Sequence, residues 1–253
     1  MTKKTTETAV AVTDPERFAV CSPQGAEDLA TMLEGGVGVF DLTRLKVPSS
    51  GAVAFEIDAL EGVKYETELE CVIVLVQGGQ RAWWKNPLGA GGGGTPPDCS
   101  SKGGGVGMGD PEGSGDGGSM THQCASCHWN QWGTATRPDG TQGKGKSCKE
   151  FAFIFLYREG DGIPMVLSVP PSSLGLMRRY STKLLSASKP IHTVVTKVSL
   201  SKTANTDGVD YSEIVFAYGG DLSDDGAASA KSAQKVLKQY LASNAVAMDI
   251  PLD

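Results

Sequence analysis

Four of the six cysteines, Cys99, Cys124, Cys127 and Cys148, have the types and spacing of metal ligands. Their pattern is C-x24-C-x2-C-x20-C. A CxxC pair sets two thiolates on one tight turn, and two further thiolates from elsewhere in the chain complete a tetrahedron of the kind zinc adopts. The candidate ligands stand among small or loop-forming residues: Asp98 and Ser100 around Cys99, Gln123 and Ala125 around Cys124, Ser147 and Lys149 around Cys148. Cys71, inside the apolar run ECVIVLVQ, and Cys21 read instead as small buried residues. The expectation is one structural Zn2+ held by four thiolates, with His122 and His128 as substitute ligands if Cys99 is free.

Other chemistries fit these residues less well. Cys124-Ala-Ser-Cys127-His128 matches the haem-attachment pattern CxxCH, but attachment needs export, and MTKKTTETAVAVTDPERF lacks the apolar core of a signal peptide. A redox CxxC belongs at the start of a helix after a strand in a βαβ setting, and no such setting surrounds Cys124. A catalytic zinc requires an open coordination position and a general base, and neither HExxH nor HxE occurs. The glycines of 88–119 do not form a phosphate loop, because no GxxxxGK[ST] follows a strand. The sequence therefore predicts a protein that is not an enzyme. No run reaches the roughly eighteen apolar residues of a membrane helix, so the expected location is the cytoplasm, where disulfides are rare.

Charge and aromatic residues point to a polyanion. The formal net charge is -6, yet residues 141–206 carry 10 basic side chains against 3 acidic ones, and 162–206 contain no Asp or Glu. A basic block between acidic ends is an electrostatic footprint for nucleic acid. All four tryptophans, Trp83, Trp84, Trp129 and Trp132, flank the glycine-rich stretch or the CxxC. Aromatics interleaved with cations suit stacking on unpaired bases with phosphates held alongside. The expected nucleic-acid contacts are these tryptophans with Lys85, Lys144, Lys146, Lys149, Arg158, Arg178, Arg179 and Tyr180. The opposing reading packs Trp83 and Trp129 over the metal as core.

These residues need a framework. QGAEDLATMLE (24–34) reads as a short amphipathic helix, stopped by Gly35-Gly36. VGVFDLTRLKVP, GAVAFEI, ECVIVLVQ, HTVVTKVSLS and YSEIVFAYG read as strands, and FAFIFLYREGDGIPMVLSV as a hairpin turning at Glu159–Gly162. LGLMRRYSTKLLSAS reads as a helix with a serine N-cap and Leu174, Met177, Leu184 and Leu185 at apolar positions, and 227–241 as another. Residues 88–119, dominated by glycine, read as a long flexible loop tethered at Cys99. The predicted organisation is an N-terminal segment (1–37), a β-rich core (38–218) holding the loop and zinc site (88–150), a C-terminal helix (219–243) and an acidic tail (244–253). The fold class is mainly β (α+β): an OB-like antiparallel barrel with a zinc-stapled glycine-rich insertion and two or three helices.

The segments RAWW, DCSS, CASCHWNQWGT, GKGKSCKEF, PMVLSVPPSSLGLMRRY and VVTKVSL resemble proteins of unassigned role common in tailed-bacteriophage genomes, over roughly residues 38–218. A looser similarity is to phage and bacterial single-stranded-DNA-binding proteins, some of which carry zinc in an OB-fold. That resemblance implies a non-enzymatic role in replication or recombination in the host cytoplasm. It also implies that Asp249, Ile250, Pro251 and Leu252 recruit partners, although such tips usually finish on Phe and this one on Leu252-Asp253. The alternative is a phage structural or host-interaction protein whose zinc serves packing only.

Overall fold

The computed structural model of the chain describes residues 42–48, 51–85, 97–111, 119–137, 140–205 and 208–243. The expected helix at 24–34, Cys21, much of the glycine-rich stretch and the tail with Asp249, Ile250, Pro251 and Leu252 lie outside the described residues. Eleven strands and two α-helices are described: β1 (Arg44–Lys46), β2 (Phe55–Ala59), β3 (Gly62–Glu66), β4 (Glu68–Trp83), β5 (Cys99–Ser101), β6 (Val106–Gly109), β7 (Thr121–Gln123), β8 (Lys149–Tyr157), β9 (Met165–Val169), α1 (Pro171–Ser186), β10 (Val194–Ala204), β11 (Asp210–Asp221) and α2 (Asp224–Ser243). The expectation of a mainly β chain with helices is met. The expected barrel is not: the strands form an open mixed sheet in the order β3-β2-β1-β9-β8-β4-β5-β6-β7, with β10 and β11 branching from β4. No described helix is long and apolar enough to cross a membrane.

The branch arises in β4, whose 16 residues find different partners at their two ends. Residues 68–71 pair with β10, bringing Cys71 opposite Thr196, while Arg81–Trp83 pair with β5. Between them stand Gly78 and Gly79, and Gly79 has φ +71°, a left-handed conformation that side chains resist. The chain accordingly divides into two compact units. Among the described residues, the first takes those within 42–75, 155–166 and 176–242; the second takes those within 76–154 and 167–175, with Ser243.

In the first unit, β10 and β11 form a long antiparallel hairpin, with a bulge between Val195 and Thr196. Its core gathers Phe55, Ile57, Cys71, Val72, Ile73, Val194, Val198 and Ile214, all at most 1% exposed. Side chains of this size contribute roughly 1.5–3 kcal/mol each when fully buried. Ser223 caps α2: its Oγ accepts from Gly226 N at 3.1 Å, and Asp224 and Asp225 complement the helix dipole. That cap starts α2 three residues before the sequence-based boundary. α2 buries the small residues Gly226, Ala230 and Ala233, and Gln234 Nε2 donates to Val74 O at 2.6 Å.

In the second unit, Phe151, Phe153 and Ile154 of β8 are fully buried, as is Ala152. The strand is therefore interior on both faces, where alternation predicts a single core face. α1 begins with Pro171 at its first position, where a missing N–H costs nothing, so the expected serine cap is not used; Ser173 lies buried inside the first turn. Leu174, Met177 and Leu184 are buried as expected, but Leu185 is exposed.

Cys71 lies wholly buried, its thiol donating to Thr196 O at 3.5 Å. Burial, reinforced by the Asp161 carboxylate, pushes its pKa up to about 12, so the reactive thiolate is absent at pH 8. Native protein treated with iodoacetamide at pH 8 should leave Cys71 unmodified by mass spectrometry, and guanidinium-unfolded protein should alkylate fully. Labelling in the native state would contradict this packing.

Candidate metal centre

The glycine-rich stretch, expected as a loop, contains two short strands of the site. β5 pairs with β4 through Trp83↔Cys99, and with β6 through Cys99↔Gly109. β6 pairs with β7 through Gly107↔His122. The glycines are what permit this packing. A Cβ on Gly107 would stand 2.6 Å from His122 Nε2 and 3.2 Å from Cys99 Sγ, and one on Gly109 (φ +132°) would stand 2.1 Å from Asp98 O. Glycine here clears one face of β6 for a histidine and a thiol.

β7 leads into the CxxC turn, anchored by Cys124 N donating to Gly105 O at 2.9 Å. A single 3-10 turn, His128–Asn130, follows, and Cys148 N donates to Trp129 O at 2.8 Å, which brings in the fourth cysteine. Cys99, Cys124, Cys127 and Cys148 then line one cavity of about 10 Å³, together with His122, Trp83 and Trp129. That volume is about one water probe and suits a single ion. Cys99, Cys124 and Cys127 are buried, and Cys148 is partly so.

The thiols respond to one another electrostatically. Burial, followed by the charges of Cys148, Cys124 and Cys127, pushes Cys99 up to about 12. Burial raises Cys148 to about 11, opposed by Arg81 and Lys146 and reinforced by Cys124 and Cys127. For both Cys99 and Cys148 the shift disfavours the thiolate, the form that ligates a metal. The four thiols line one cavity, yet among the described residues no group of three or more His, Cys, Asp or Glu side chains is placed so that it could hold a metal ion. Cys99 Sγ lies 3.3 Å from His122 Nε2, and His122 Nδ1 is buried without a hydrogen-bond partner. His128, the other substitute ligand, is exposed.

Positive charge and amide donors surround the cluster, and sequence reasoning assigned no site role to two of these residues, Arg81 and Asn130. Asn130 Nδ2 donates to Cys124 O at 2.7 Å, while its Oδ1 accepts from Arg81 Nη1 at 2.7 Å and Lys146 Nζ at 3.3 Å. Arg81 also pairs with Glu150 at 3.1 Å. The signal was in the sequence: Arg81 and Asn130 each sit two residues or fewer from a tryptophan of the cluster.

The expected nucleic-acid contacts divide. Trp83 and Trp84 are 4% and 9% exposed, and Tyr180 7%, so burial withdraws all three from base stacking. Trp83 stacks on half-buried Trp129 at 5.0 Å, sheltering the thiols. Trp132 is 78% exposed, with Lys146 Nζ 5.5 Å above its ring, and Lys144 is exposed in the same loop. That loop is tied down, because Gly133 N donates to Lys144 O and Gly145 O and Ala135 N to Gly145 O. Lys85 is exposed, with its backbone N–H on Asp98 Oδ2. Lys149 is half-buried, with Nζ on Lys146 O. Arg158 is engaged by Asp161 at 3.2 Å and Glu66 at 3.3 Å. Arg178 and Arg179 are exposed on α1, in the other unit.

Gly107→Ala should lower stability by roughly 1–3 kcal/mol in thermal unfolding, as overpacking does. Gly105→Ala, whose Cβ meets nothing within 4 Å, should not. Equal melting temperatures for the two variants would remove Gly107 from this account.

No known protein family matches the sequence, and no curated protein or solved structure is similar to it, so the chemistry of the site rests on its own residues.

Proposed function

We propose that this chain binds single-stranded DNA without catalysing a reaction, and that one zinc ion on Cys99, Cys124, Cys127 and Cys148 fixes the loops that present its aromatic and cationic contacts. The observation that carries the binding role is Trp132. Its ring is 78% exposed, and the cation of Lys146 over it, with Lys144 in the same loop, is the pairing a base and its phosphate would use. Zinc suits the donors, since four sulfurs around an ion-sized cavity match its preference. A tetrathiolate zinc carries a net charge of about -2, and Arg81, Lys146 and half-buried Lys149 offset it. Partner recruitment through Asp249, Ile250, Pro251 and Leu252 belongs to the same reading.

The burial of Trp83 and Trp84 favours a second reading, in which the chain is a phage structural or host-interaction protein and zinc and tryptophans serve packing.

Purified protein should contain about one zinc per chain, and Cys127→Ser should abolish it and lower the melting temperature, because structural zinc contributes directly to folding. Folded, metal-free protein that neither takes up zinc nor gains stability from it would end the metal assignment.

A labelled dT20 oligonucleotide should bind more tightly than the corresponding duplex, with affinity falling steeply from 50 to 200 mM salt as counterions are released. Trp132→Ala should weaken binding by about 1–3 kcal/mol and leave the melting temperature unchanged. No binding at low salt, or equal affinity for both forms, hands the chain to the second reading.

A further inference from the structure

A groove of about 540 Å³ lies in the first unit between α1 and β11. That size falls within the roughly 300–1,000 Å³ of small-ligand sites. One wall is a stripe of α1 at helical spacing: Leu176, Arg179, Tyr180, Lys183 and Leu184. The opposite wall is Val215–Tyr218 of β11. Tyr180 stacks on Phe216 at 5.9 Å with an interplanar angle of 18°, which gives the groove an aromatic floor. Among the described residues no carboxylate lines it, while Arg179 and Lys183, one helical turn apart, are exposed along its rim.

Its far end is pre-set. Ser188, at φ +58°, turns the chain after α1, and Lys189 N closes that turn on Leu184 O at 2.9 Å. Lys189 Nζ then pairs with Asp221, donates to Tyr218 Oη at 3.1 Å and sits 5.0 Å from the Tyr218 ring centroid. The Lys189 charge is thereby matched, and Tyr218, 43% exposed, is held as a fixed platform. Two cations on the rim, an immobilised tyrosine ring and an apolar floor together match an unpaired base with its phosphates.

We propose that this groove is a path of the single strand, with phosphates along Arg179 and Lys183 and a base against Tyr218. This rests on the single-stranded-DNA reading, which was argued from Trp132 in the other unit. Only Arg179 among these three was a candidate on sequence grounds.

The test is anisotropy of labelled dT20 on the full chain across a salt series. Each single-strand phosphate contact contributes about 0.7 to the log–log salt slope, so Arg179→Gln with Lys183→Gln should flatten it by about 1.4. Lys64→Gln with Lys235→Gln, the same charge change elsewhere on exposed positions, should flatten it by less than half as much. Tyr218→Ala should weaken binding roughly 5- to 100-fold, and Tyr218→Phe, which keeps the ring, should bind within about twofold of the parent. If the parent binds and Trp132→Ala weakens it, while the groove variants match the parent, the groove proposal falls and the DNA reading stands. If the parent does not bind dT20 at low salt, both fall. If a glutamate-rich peptide binds the parent but not the Arg179→Gln/Lys183→Gln variant, and dT20 is indifferent to those substitutions, the groove is a peptide site and the proposal is overturned.

Discussion

Backbone hydrogen bonding along a strand as long as β4 has to be satisfied over its whole length, and among the described residues β4 meets it with several partners, β8, β5 and β10. Glu68–Cys71 take β10, Arg81–Trp83 take β5, and Gly78-Gly79 absorb the change between them. Both candidate sites follow from that division of partners. The thiol cluster begins where Trp83 is paired with Cys99, and the groove stands on the β10–β11 hairpin attached to the opposite end of the strand.

Around the cysteines, aromatic burial and charge placement work together. Trp83 stacks on Trp129 beside three buried cysteines, and burial strengthens electrostatic interactions among them. In that setting burial first, and the charges of the neighbouring thiols second, push Cys99 up to about 12. Arg81 and Lys146 are bridged by one amide oxygen, that of Asn130, so the positive shell is fixed by the side chain whose amide also holds the CxxC turn.

The cysteine spacing picked out the four residues that the fold gathers, because a CxxC turn is a local device and its partners stand out among glycines and serines. β4, β8, β10 and β11 were legible from apolar runs rich in β-branched residues, and the second helix from its period. What was not legible depends on pairings far apart in sequence. The glycines at 107 and 109 signal looseness by composition, and only the approach of His122, Cys99 and Asp98 turns them into strand residues. Barrel closure likewise depends on which strand meets which, and the branch at β4 leaves the sheet open. Inward and outward tryptophans carry the same letter: Trp83 and Trp132 each have a second tryptophan within three residues, yet one is interior and the other exposed.

The pairing of Cys71 with Thr196 spans 125 residues of chain. A ribosome adding about 5–20 residues per second needs roughly 6–25 seconds to make the second strand after the first has emerged. During that interval Val72-Ile73-Val74-Leu75, a segment with the composition of a self-associating strand, has no native partner for the flanking residues that pair with β10. Glu68 and Glu70 on its leading side then act as gatekeepers, their charge opposing association between nascent copies. In the finished fold Glu70 meets Lys197 at 2.9 Å, so the residue that keeps the immature strand apart from its neighbours later fastens it to β10.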